Sequence, residues 1–238
     1  MEASLLSILA LGFVLGFKHA IEPDHVIAVS TIATQSKKLW RSSLAGVFWG
    51  IGHTVTLFVI GIVLIAMKGE IPEKWAMSLE FLVGIMLVYL GITTIRSFKN
   101  IHIHKHEHDN ELHKHIHSHG HNGDHEHIHQ HKKLPYLRSM IIGLVHGLAG
   151  SGAMVLLTMS TVDSVWEGAI YILIFGAGTV IGMLLFTTLI GIPFVFSAKK
   201  LSLNKTLTQI TGVVSTVFGL YYMYNLGITE GLFLLWIQ

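Results

Sequence analysis

The chain contains no cysteine, which excludes disulfides, thiolate metal sites and thiol redox relays. Charge is scarce as well. Only 13% of residues are Asp, Glu, Lys or Arg, against roughly 25% in soluble domains. No G-x-x-x-x-G-K-[ST] stretch is present, so nothing points to ATP hydrolysis by this chain. The net charge is only +2, and the basic residues form no face, so no nucleic-acid partner is expected. The first segment lacks a basic n-region and an A-x-A cleavage pattern. It therefore reads as a retained helix rather than a signal peptide.

What fills the chain is apolar sequence: 51% of the 238 residues are hydrophobic, and the mean hydropathy is +0.59. Six segments have about the 20 residues a spanning helix needs: 3–34, 44–67, 76–96, 137–160, 167–194 and 206–225. The first is too long for a hydrocarbon core of about 30 Å, so it must tilt, protrude or break. Lys and Arg gather in the 36–43, 96–138 and 197–205 connections. By the positive-inside rule these face the cytoplasm and both termini lie outside. The expected fold is all-α: a polytopic protein, placed in a bacterial cytoplasmic membrane, with lipid around it.

The two halves resemble each other. "GFKHAIEPDHVIAVST" (16–31) aligns with "GLVHGLAGSGAMVLLT" (143–158), "WGIGHT" with "FGAGTV", and "LVGIMLVYLGI" with "ITGVVSTVFGL", at offsets of 127, 126 and 128 residues. Three spans per copy is an odd number, so the second copy enters from the opposite side. Inverted repeats of this kind are frequent in secondary transporters, with the substrate site near the midplane. The chain thus divides into a first three-helix repeat (1–96), a loop (97–136) and a second three-helix repeat (137–238). In the loop stand His102, His104, His106, His108, His113, His115, His117, His119, His121, His125, His127, His129 and His131, 13 of the 17 histidines. Such a segment cannot bury a core and is expected to be disordered without metal. Its imidazoles suit divalent Ni, Zn, Cu and Co.

"GFKHAIEPDH" (16–25) places Lys18, His19, Glu22, Asp24 and His25 in an apolar span. Ionisable side chains there normally face a cavity and carry function. Lys18 and Glu22 are four apart and can pair on a helix. That leaves His19, Asp24 and His25, which do not converge on a straight helix. Pro23 removes an N–H and favours a break, so the first helix is expected to break there and fold around a cation. Two imidazoles and a carboxylate suit a divalent metal. His53 in "GIGHTVT" and His146 in "LVHGLAG" are further candidate ligands, flanked or followed by glycines that permit close helix approach.

At these residues the chain resembles the nickel/cobalt transporter family. Its H-x4-D-H signature reads "HAIEPDH" here, its glycine-flanked His matches "GIGHT" at His53, and "HGLAGSGA" at His146 looks like the fourth span of the six-span urease-accessory branch. Larger uptake members usually carry Arg before the first His and D-A-D-H after it, where this chain has Lys18, Glu22 and Pro23. They also have eight spans. The resemblance implies that His19, Asp24 and His25 contribute to binding Ni2+ or Co2+, with His53 close by.

The expected function is secondary transport of Ni2+ or Co2+ without an organic cofactor, with uptake slightly favoured and a cytoplasmic metallochaperone as a partner of the loop. Alternatives are nickel/cobalt efflux using the loop to capture ions, or a membrane metal buffer or sensor. An intramembrane serine protease around Ser151 lacks a later His base, so no enzyme is expected. A thiol-redox carrier lacks its cysteines.

Overall fold

A computed structural model describes residues 5–67, 71–97, 101–108, 111–118, 135–161 and 164–237, with the backbone alone for 5, 101–108, 111–118, 135 and 150–161. Its helices are α1 (Leu5–His19), α2 (Pro23–Ala33), α3 (Leu39–Met67), α4 (Glu73–Arg96), α5 (Pro135–Thr161), α6 (Val165–Ser197), α7 (Leu201–Tyr224) and α8 (Leu232–Ile237). A π-helical turn, Asn225–Thr229, precedes α8.

α1 and α2 form a single run bent by 57°. Past His19 the bonds tighten to the i→i+3 pattern, Ile21 N to Lys18 O and Glu22 N to His19 O. Pro23 then opens α2 at its first position, where its missing N–H costs nothing and its fixed φ suits the helix. α3, α4 and α6 are long and apolar enough to cross a membrane, and the bent α1–α2 pair makes a fourth if it is one span. The six expected spans are therefore matched by four at most among the described residues. The described apolar stretch of α5 covers only Tyr136–Ala149, and the Thr, Gln and Asn residues of α7 dilute its hydropathy. Large apolar side chains such as Val59, Leu189 and Val217 stay more than half exposed, as expected of surfaces that face lipid.

Two parts of the loop expected to be disordered, 101–108 and 111–118, are paired as strands. β1 (Ile101–His108) pairs antiparallel with β2 (Glu111–Ser118), with His102 opposite His117, His104 opposite His115 and His106 opposite His113. The alternation of His with other residues has period two, the repeat of a strand. His119, His121, His125, His127, His129 and His131 lie outside the described residues.

Small residues bring the helices together, since lipid leaves no hydrophobic force to do so. A Cβ on Gly16 (α1) would fall on the Phe175 carbonyl of α6, and one on Gly143 (α5) on the Trp49 carbonyl of α3. Gly52 (α3) meets the Met140 carbonyl, and Gly178 (α6) that of Phe13. Gly84 and Gly91 of α4 meet Gly219 and Gly212 of α7. Gly143 against Trp49 and Gly147 against Thr56 make α3 parallel to α5, Gly12 against Tyr171 and Gly182 against Ala20 make α1 parallel to α6, and the Gly84–Gly219 and Gly91–Gly212 contacts make α4 antiparallel to α7. Thr54 bonding Gly176 and Ser43 bonding Thr188 make α3 antiparallel to α6.

Candidate metal centre

The break between α1 and α2 sets up the centre. His19 ends α1, Asp24 and His25 open α2, His53 lies halfway along α3, and His146 lies on α5. The close approach of Gly143 and Gly147 to α3 lets His146 reach the same place. His25, His53 and His146 are fully buried, while Asp24 and His19 keep about a fifth of their side chains exposed. The His25 ring is central, 4.3 Å from that of His19, 4.2 Å from His146 and 5.2 Å from His53.

Hydrogen bonds fix most of the ring orientations. His25 Nδ1 donates to Asp24 Oδ1 at 3.0 Å, and His146 Nε2 donates to Asp24 Oδ2 at 2.7 Å. His19 Nδ1 donates to Glu22 Oε2 at 2.8 Å. With these tautomers, assigned from the carboxylate partners, lone pairs remain on His25 Nε2, His146 Nδ1 and His19 Nε2. Among the described residues the first two are buried without a hydrogen-bond partner, as is His53 Nδ1. His19 Nε2 stands 3.2 Å from His53 Nε2. Carboxylates backing imidazoles in this way orient metal ligands and raise their basicity.

Two groups have donor atoms close enough to share an ion: His19, His25 and His53, and Asp24, His25 and His146. The structure thus gathers all five expected residues and divides them differently from the sequence spacing. His19 and Asp24 fall in separate groups, with His25 common to both. The expected Lys18–Glu22 pair gives way to Glu22 on His19, because the helix ends before the i,i+4 geometry can form. Pro23 stands at the break, as expected.

Two aromatic residues complete the surroundings. Trp49, buried on α3, stacks on His53 at 5.4 Å and 7° and meets His25 and His146 edge-on at 5.0 Å each. The Phe175 ring on α6 is 5.5 Å from that of His19. Neither was singled out from sequence, although Trp49 lies four residues before His53, on the same helix face.

Among known proteins, the family model described as the cytochrome c biogenesis protein transmembrane region matches residues 75–221. The urease accessory protein UreH of Bacillus sp. (strain TB-90) is 64% identical over 237 residues, covering 100% of this chain and 99% of that one. A Methanocaldococcus jannaschii protein, named as a proposed nickel/cobalt efflux system, is 28% identical over 88% of each chain. The chloroplast protein FOR GROWTH AND FERTILITY 1 of Arabidopsis thaliana is 26% identical over 88% of this chain and 56% of its own length. No solved structure matches.

Proposed function

The chain belongs to the family of the urease accessory protein UreH, within the nickel/cobalt transporters, and over residues 75–221 to the cytochrome c biogenesis transmembrane-region family; from that premise we propose that it is a secondary transporter of Ni2+ or Co2+. It is an integral membrane protein and, like these relatives, not an enzyme. Its lack of cysteine separates it from any thiol-relay chemistry.

One observation carries this function: four imidazoles and a carboxylate from α1, α2, α3 and α5 converge beside a helix break, with His25 common to two ligand groups. Broken helices are tolerated at membrane depth where they line a cavity. His19, His25 and His53 take the ion, with Glu22 behind His19 and Asp24 behind His25. Asp24 and His146 offer the adjoining position. Neutral imidazoles replace hydration water without adding charge, and nitrogen donors suit Ni2+ and Co2+ better than Mn2+.

Six spans in two inverted repeats frame this site. The helix directions support alternation through α1–α2, α3, α4, α5, α6 and α7. The close contacts also come in mates: Gly16 on Phe175 becomes Gly143 on Trp49 under the repeat offsets, and Gly84 on Gly219 becomes Gly212 on Gly91. The basic connections place the termini outside and the His-rich loop in the cytoplasm, where the loop exchanges ions with a metallochaperone. Inward movement of a dication gains about 4.6 kcal/mol per 100 mV of membrane potential, which favours uptake. The name of the archaeal relative favours efflux as the second direction, and efflux needs a coupled ion.

The test is metal flux into proteoliposomes. Ni2+ and Co2+ should cross faster than Zn2+ and Mn2+, and a His19→Ala/Asp24→Ala variant should lose that flux. Selective Zn2+ or Mn2+ transport, or equal flux in the variant, contradicts the proposal.

A further inference from the structure

We propose that Trp49 and Phe175 are the two gates of this site, each sealing one end of the ion path. The inference rests on the transport function above and assigns the residues that decide which side the site faces.

The two aromatics are counterparts in the repeat. The offset that carries Gly50 onto Gly176 carries Trp49 onto Phe175. Their surroundings correspond as well. The Trp49 ring lies against His146 of α5, and the Phe175 ring against His19 of α1; His146 and His19 are themselves repeat counterparts. Each backbone carbonyl lies against the matching glycine, Gly143 or Gly16. Each half thus places one aromatic ring on its second span, against the histidine of the other half's first span.

They stand at opposite ends of the centre. α3 and α6 are antiparallel, and each ring comes before the middle of its own helix. Trp49 is nearer the end where α3 follows Lys37 and Lys38, and Phe175 nearer the end where α6 follows Ser164. In inverted repeats, rocking one half against the other exchanges the environments of the two copies. Rings placed on that interface part from their histidines in turn.

Both rings are closed over the centre in the present arrangement: Trp49 is 0% and Phe175 5% exposed, and Asp24, bonded to the two histidines beside Trp49, keeps 20% of its side chain exposed. Trp49, His25, His53 and His146 are all at most 2% exposed. His19, beside Phe175, has 17% of its side chain exposed, and its partner Glu22 has 49%. The Trp49 Nε1–H has no acceptor among the described residues. The ring is therefore held by packing alone and is not pinned by a hydrogen bond. Phe175 has no polar atom to pin it.

The experiment uses Ni2+ with the full-length protein, measuring binding in detergent and ion movement in proteoliposomes. Trp49→Ala and Phe175→Ala should each still bind Ni2+, because every ligand atom is kept, and lose acceleration of flux by Ni2+ on the opposite side. The double variant should leak Ni2+ about ten-fold or more faster than wild type, because one seal must hold in either state. Trp49→Phe should restore tight behaviour, since Phe already fills the equivalent place in the other half. If Trp49→Ala does not fold, Trp49→Leu replaces it, with the same outcome expected. A double variant as tight as wild type overturns the gates. So does a Trp49→Phe variant as leaky as Trp49→Ala, or binding lost together with flux in both single variants. A wild-type protein that binds Ni2+ but moves none removes the transport function itself, and the gates with it.

Discussion

Asp24 holds two imidazoles at once, His25 on Oδ1 and His146 on Oδ2. An amide in its place accepts through one atom only, so one ring must lose its partner. Asp24→Asn should weaken Ni2+ binding by about 10–100-fold, the usual effect of losing an outer-shell partner. Glu22→Gln, which keeps one acceptor for His19, should weaken it less. Titration calorimetry on the purified variants checks both, and an Asp24→Asn protein that binds like wild type contradicts the role given to the carboxylate. The residue types of this centre were legible in "HAIEPDH" and in the lone histidines of α3 and α5. Their grouping was not, because local spacing cannot say that Asp24 turns to a helix 122 positions away. Trp49 was hidden for the same reason: in an apolar span a tryptophan reads as packing until its neighbours across the fold are known.

At the level of elements, the α1–α2 break was legible because it has a local cause. A proline and an overlong apolar run both pointed to residues 19–23, and the bend occurs there. The hairpin in the loop also has a local cause, the two-residue alternation of His, but composition alone pointed to disorder. α7 shows the opposite limit. Its Ser and Thr hydroxyls bond carbonyls within or across the helix pair, as Thr216 does to Gly212 and Ser215 to Leu87. The chain can therefore pack α7 against α4 with more polar residues than hydropathy suggests. Close packing makes a paired prediction. Gly16→Ala and Gly143→Ala each set a methyl against a backbone carbonyl that cannot yield as a side chain would. Each should lose about 1–3 kcal/mol of stability, measured as a lowered Tm in detergent. Wild-type thermal stability in both contradicts the close approach.

The whole molecule offers an unusual experimental convenience, since a chain without cysteine accepts single reporter thiols. Ser36→Cys and Ser202→Cys should react with an impermeant reagent only from the cytoplasmic side, and Ser164→Cys only from outside. Any other pattern breaks the alternation of six spans. Removing residues 101–131 should leave measurable Ni2+ flux, because none of the five residues of the centre lies in that segment. Loss of all flux on that deletion points instead to a buffer built on the loop. The central claim is that one imidazole, His25, serves both ligand groups of a single intramembrane centre. It is tested most directly by initial rates of Ni2+ flux in proteoliposomes for His25→Ala, His53→Ala and His146→Ala. The account predicts that His25→Ala abolishes flux, while each of the other two, which touch only one group, retains part of it. His25→Ala transport at the wild-type rate would contradict it.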